Sequence, residues 1–299
     1  MPQRATRLRL VVHALALLVL TLVVPAGCSI NEQQEIEMGQ KLHPQFEKES
    51  GGLDPDSHIQ QYVNAVGQTL ARYAGRPNLE WRFSIVRSEQ INAFAVPGGY
   101  IYVTRGLLMR MSNEAQLAGV LGHEAGHIAG RHSVKQIGRS QTAQLGTAVV
   151  GVVGGLFGYG WAGDVTGAVA GLSLMSYSRD QEREADMLGL NYMTQAGYNP
   201  QGLVQLMQIL QSAAGAKGAP EFLSTHPNPG NRLEYLTETI NKEHAGAARS
   251  GEFGEANFRQ HVLARRSTAR APVDVGDPTT WCNHCKLASA LMDEYIPAP

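Results

Sequence analysis

The residues His123-Glu124-Ala125-Gly126-His127 lie inside a helical pattern. Two histidines four residues apart project from one helix face, and their neutral imidazole nitrogens suit a single zinc ion. Glu124 sits one step round from His123, placed to reach a water that the metal polarises. The chemistry indicated is hydrolysis, with water attacking a carbonyl and the glutamate taking its proton as general base. A pair of hydrogen-bonded helix histidines is the plainer reading, and a third candidate ligand weighs against it.

That candidate is Glu182, in Ser178-Arg179-Asp180-Gln181-Glu182-Arg183-Glu184-Ala185-Asp186. Glu182 and Asp186 are four apart and share a helix face. One carboxylate can ligate zinc, while the other accepts the free N–H of a ligand imidazole and fixes its orientation. Glu184 reads as part of a solvated, charged face. The metzincin pattern puts a third histidine ten residues after the first, at position 133, but Ser133 stands there and His132 misses by one, about 100° round a helix. Glu182 is therefore expected to complete a site for one zinc per chain, with Asp186 behind it. His132 reads as a satisfied surface or helix-end residue.

These side chains need helices and a little sheet to hold them. Helices are expected over 32–48 and 56–73, the second with Ile59, Val63, Val66 and Leu70 as an inward stripe. Residues 81–87 alternate as a strand. Residues 94–96 and 100–104, joined by Pro97-Gly98-Gly99, read as a hairpin. The helix bearing the histidines starts near Asn113, where Gln116 three residues later approximates a capping box, and buries Leu117, Val120, Leu121 and Ile128. Further helices are expected over 178–195 and 201–211. The fold class is α+β, mainly helical, with a small sheet next to the metal-binding helix.

His123-Glu124-x-x-His127 with Arg131-His132, then Glu182-x-x-x-Asp186, resembles the HtpX and CAAX-prenyl-protease family of zinc metallopeptidases, and within it the periplasmic BepA-like and lipoprotein branch. The run from Asn92 through Ala95-Val96-Pro97-Gly98-Gly99-Tyr100 to Leu107, and Ser224-Thr225-His226-Pro227 leading to Arg232, carry the resemblance further. It implies a zincin-like fold, ligation by two histidines and one glutamate, endopeptidase activity with Glu124 as general base, and a role in envelope protein quality control. The substrates would be unfolded or misassembled envelope polypeptides. His226 would either stabilise the oxyanion or swing in as a fourth ligand, and Arg232 would serve the oxyanion or the substrate carbonyl. The strand Gly99, Tyr100, Ile101, Tyr102, Val103 is either an ordinary core strand or an edge to which an extended peptide adds.

The ends of the chain carry separate signals. Residues 1–27 join three arginines to an apolar run and small residues, a secretory signal peptide too short for a comfortable membrane span. Ala26-Gly27-Cys28 looks like a lipobox, with Pro25 where an aliphatic residue is usual, Cys28 as the lipidated N-terminus and Ser29 resembling an outer-membrane sorting pattern, so the expected location is the periplasm, anchored to the outer membrane. The alternative is ordinary cleavage nearby, leaving a soluble secreted protein with Cys28 lost or free. The metallopeptidase domain is expected over 28–245. A loosely ordered tail should follow over 246–299, in which Cys282 and Cys285 would form a disulfide.

Composition excludes other classes. The 299 residues are 43% hydrophobic with a formal charge of −1, which becomes about −4 once the leader is removed. Such a chain is neither disordered nor a nucleic-acid binder, which would show a basic excess. Nine of its 33 glycines fall within 145–175, which holds a single charge, Asp164. That segment reads either as small-residue helices and a loop over the site or as a membrane-dipping hairpin.

Overall fold

The computed structural model describes residues 30–138, 176–214, 220–227 and 231–265. The leader with Cys28, the glycine-rich 145–175 and the Cys282/Cys285 pair lie outside the described residues. The chain divides into two compact units, and the site lies in the one built from Glu32–Ser133 and Tyr159–Pro299. Of the other unit, only residues 30–31 and 134–138 are described.

The described elements in chain order are α1 (Glu32–Glu49), α2 (Ser57–Ala71), β1 (Arg82–Val86), β2 (Ala93–Val96), β3 (Tyr100–Thr104), α3 (Arg105–Leu108), α4 (Glu114–Ala129), α5 (Arg179–Gln195), α6 (Gln201–Ala214), α7 (Phe222–Thr225), α8 (Arg232–Glu243), α9 (Ala245–Ser250) and α10 (Glu255–His261). Asp56 caps α2 by accepting from the backbone N–H groups of His58 and Ile59. The stripe Ile59, Val63, Val66 and Leu70 is buried, in one core with Phe83 and Ile85 of β1.

The sheet has the order β1-β3-β2, with β3 parallel to β1 and antiparallel to β2. Gly98 and Gly99, at φ 88° and 104°, turn the chain between β2 and β3 in backbone conformations that side chains disfavour. This topology corrects one of the two expectations for the strand. Tyr100–Thr104 is the central strand, paired on both sides and buried along its length, so Gly99, Tyr100, Ile101, Tyr102 and Val103 form no edge that a peptide could join.

Asn113 caps α4 by accepting from Gln116 N–H at 2.9 Å, and the Gln116 side chain accepts from Ser112 N–H at 2.8 Å. The reciprocal bond thus closes one residue earlier than in a standard capping box. Every residue of α4 from Glu114 to Ile128 is buried, because α2, α5, α6 and the sheet surround it. Ser178 and Gln181 close a full capping box at the start of α5.

The folded chain also continues past residue 245, where a loose tail is expected. Phe258 and Val262 are fully buried in the main core, and Arg265 pairs with the α2 cap Asp56 at 2.9 Å.

Candidate metal centre

Helices α4 and α5 cross in backbone contact, and glycine makes this possible. A Cβ on Gly126 would meet the Ala185 carbonyl oxygen at 2.7 Å, and one on Gly189 would meet the His123 nitrogen at 3.0 Å. The close crossing brings Glu182 and Asp186 of α5 under His123 and His127 of α4. All four, with Glu124, His226 and Arg232, are almost wholly removed from solvent.

His123, His127, Glu182 and His226 each offer one ligand atom, and these atoms lie within 4.8 Å of one another. His127 Nε2 is 3.1 Å from His123 Nε2 and 3.3 Å from Glu182 Oε1. His226 Nδ1 is 2.9 Å from Glu182 Oε1 and 3.3 Å from His123 Nε2. A tetrahedron with bonds of 2.0–2.1 Å would set its ligand atoms about 3.3 Å apart. The donor set therefore fits a small divalent cation both in chemistry and in spacing.

Glu124 supplies a second sign of fit. Neither of its buried carboxylate oxygens has a hydrogen-bond partner among the described residues. A bare buried carboxylate is costly unless something polar belongs beside it. Desolvation pushes its pKa above the usual carboxylate range, against the pull of His226 at 3.5 Å and of His123.

His127, Glu182 and Asp186 are held in the states a cation requires. Burial keeps His127 neutral, its pKa well below the usual imidazole range, so Nε2 can offer a lone pair. Burial opposes ionisation of Glu182 and Asp186 too. Their partners outweigh it: the charge of His226 and a hydrogen bond with His127 hold Glu182 down, and Arg232 and the contact with His123 hold Asp186 down. Burial likewise opposes charging of His226, but Glu182 and Glu124 raise its pKa.

Behind the candidate ligand atoms, His123 Nδ1 meets Asp186 Oδ1 at 2.9 Å. Arg232 joins the same carboxylates. Its Nε and one terminal nitrogen donate to Asp186 at 2.8 and 2.6 Å, and its other terminal nitrogen pairs with Glu182 Oε2 at 2.9 Å. Arg232 thus ties the two carboxylates together.

Three residues that periodicity did not single out also touch the site. Tyr235 donates a short hydrogen bond to Asp186. Tyr177 covers His127 with ring centroids 3.9 Å apart, and its hydroxyl bonds Ser133 Oγ at 2.8 Å. Phe222 stacks on His226 at 4.3 Å. All are aromatic neighbours brought in by the fold, with no spacing signal to mark them. His132, expected at a surface or helix end, is buried against His127.

The profile of peptidase family M48 matches residues 57–240. Over 236 residues the chain is 29% identical to the beta-barrel assembly-enhancing protease of Escherichia coli K12, an alignment covering 76% of this chain and 48% of that protein. It is 34% identical over 227 residues to the protein of the same name in Yersinia pestis, covering 73% and 46%. With the mitochondrial metalloendopeptidase OMA1 of Schizosaccharomyces pombe it shares 32% identity over 186 residues, covering 60% and 52%. The chain thus spans about half the length of these curated relatives.

Proposed function

The chain belongs to peptidase family M48, and from that premise we propose that it is a zinc-dependent endopeptidase of the bacterial cell envelope, hydrolysing peptide bonds in unfolded or misassembled envelope proteins. The observation that carries the reading is Glu124, a buried carboxylate whose two oxygens accept no hydrogen bond among the described residues, next to four converging ligand atoms. A purely structural zinc site has no use for such a base.

His123, His127 and Glu182 would hold the zinc. When bound, it supplies Lewis acidity, making water a better nucleophile and a scissile carbonyl more electrophilic. Glu124 takes the proton of the attacking water on its carboxylate and returns it to the leaving nitrogen. Its raised pKa brings it closer to that of the groups it exchanges protons with. Asp186 keeps the His123 proton on Nδ1, and Arg232 and Tyr235 keep Asp186 in place. His226 would be a fourth ligand in the resting protein, since Nδ1 sits at ligand spacing from both Glu182 and His123. It must leave for substrate to enter.

Peptide binding falls to β2, which borders the sheet and packs against α4. Thr104 N–H donates to Asn92 C=O, which sets the antiparallel alternation. Phe94 and Val96 then face β3 with their backbone groups, while Ala95, which is partly exposed, turns its own outward and Ala93 is fully buried. An extended chain adding there is held by backbone hydrogen bonds with little demand on side chains, as an enzyme for unfolded protein requires.

The leader and Cys28 would place the enzyme in the periplasm on an outer-membrane lipid anchor, an oxidising setting in which Cys282 and Cys285 pair. No helix among the described residues is long and apolar enough to cross a membrane. The test is cleavage of a denatured, reduced protein such as casein by the zinc-loaded chain. Cleavage should stop with 1,10-phenanthroline and return with zinc, and His226→Ala should raise the basal rate. A fully zinc-loaded chain that cleaves nothing, with or without His226, would overturn the reading.

A further inference from the structure

His123 has its Nδ1 held by Asp186, and the second helix ligand has a counterpart of a different kind. His127 Nδ1 lies 2.9 Å from His132 Nδ1, and His132 Nε2 lies 3.3 Å from Glu184 Oε2. The two rings stand edge to face at 80°. This lets an N–H in the plane of one point along the in-plane lone pair of the other. His132 is 1% exposed, whereas the Glu184 side chain is 52% exposed.

We propose that His132 and Glu184 form a hydrogen-bond relay that orients the ligand imidazole of His127 and fixes its tautomer. The relay rests on the metal site of the proposed function. Once His127 Nε2 is a ligand, the proton of the neutral ring must sit on Nδ1. It then donates to His132 Nδ1, which must be the unprotonated nitrogen. The His132 proton is consequently on Nε2, where it donates to the Glu184 carboxylate. Each choice forces the next, and the chain ends on a negative charge that makes His127 a stronger donor to a cation.

The backbone around His132 is built for this contact. Helix α4 ends at Ala129, and Arg131 turns back at φ 55°, a conformation unusual for a residue with a side chain. Arg131 is tied down by its Nε, which donates to the buried Glu35 at 2.9 Å. The turn folds the His132 ring over the helix end so closely that a Cβ on Gly130 would lie 2.5 Å from His132 Nε2. A strained turn that drives an imidazole onto a ligand imidazole is what a positioning role requires.

The test uses the full chain with histidine-specific ¹⁵N labelling, zinc-loaded, together with zinc competition against a chromophoric chelator. Wild-type His132 should show its proton on Nε2 and a bare Nδ1. His132→Leu should weaken zinc binding by about 10–100-fold, the usual effect of losing such a partner. His132→Asn should recover most of the loss, because its side-chain oxygen falls near the place of Nδ1. Glu184→Gln, at a half-exposed position that the fold does not need, should weaken zinc binding less and move the His132 Nε2–H resonance upfield. A His132 proton on Nδ1, or unchanged zinc affinity in both His132→Leu and Glu184→Gln, would overturn the relay. Failure of the wild-type chain to bind zinc would instead overturn the metal site on which it rests.

Discussion

Gly126 of α4 and Ala185 of α5 touch through their backbones, and a methyl group on Gly126 would stand 2.7 Å from the Ala185 carbonyl oxygen. This contact sets the distance between the helix with the two histidines and the helix with the two carboxylates. Gly126→Val should force the helices apart and cost about 1–3 kcal/mol of stability, as overpacking does. Zinc affinity should fall further than stability, because Glu182 and Asp186 move away from His123 and His127 together. Urea unfolding of the apoprotein and zinc titration of the same variant separate the two effects.

The segment after residue 245 belongs to the core through Phe258, which is fully buried. Phe258→Ala should destabilise the protein by about 3–5 kcal/mol. The cost should be the same with and without zinc, since Phe258 does not touch the site. A thermal or denaturant melt without such a loss would return these residues to the status of a tail.

Glu221, just before α7, gives a pH signature. Burial raises its pKa above the ordinary carboxylate range, and a hydrogen bond from Asn92 only partly offsets this. A carboxyl with a raised folded pKa adds full stability below its unfolded pKa of about 4.3 and loses it as pH rises through the folded value. Glu221→Gln stays neutral throughout. It should match the wild type near pH 4 and become the more stable protein as pH rises to 8. Melting temperatures across that range check the sign.

Much of this was legible because periodic spacing maps directly onto helix faces. His123 and His127, Glu182 and Asp186, and the stripe Ile59, Val63, Val66, Leu70 all lie where a 3.6-residue repeat puts them. Spacing also located the strands, but it cannot give their order. Tyr100–Thr104 carries the strongest strand signal because it is the central, doubly paired strand, and the edge falls to the weaker Ala93–Val96. His132 was missed for a related reason. Its place follows from the turn at Arg131 after the helix has ended, where helical spacing no longer applies. Arg232 was found by resemblance, yet its partners became plain only when α8 met Asp186 in space.

The central claim is that Glu124 moves the proton in a metal-assisted hydrolysis, and Glu124→Gln tests it most directly. Gln keeps the size of the side chain and leaves His123, His127 and Glu182 untouched. The decisive measurement is zinc content and cleavage of denatured protein on one preparation of the variant. The account predicts one zinc per chain with cleavage reduced by about 10²–10⁴-fold, the usual contribution of a general base. A zinc-loaded Glu124→Gln protein that cleaves at the wild-type rate would contradict it.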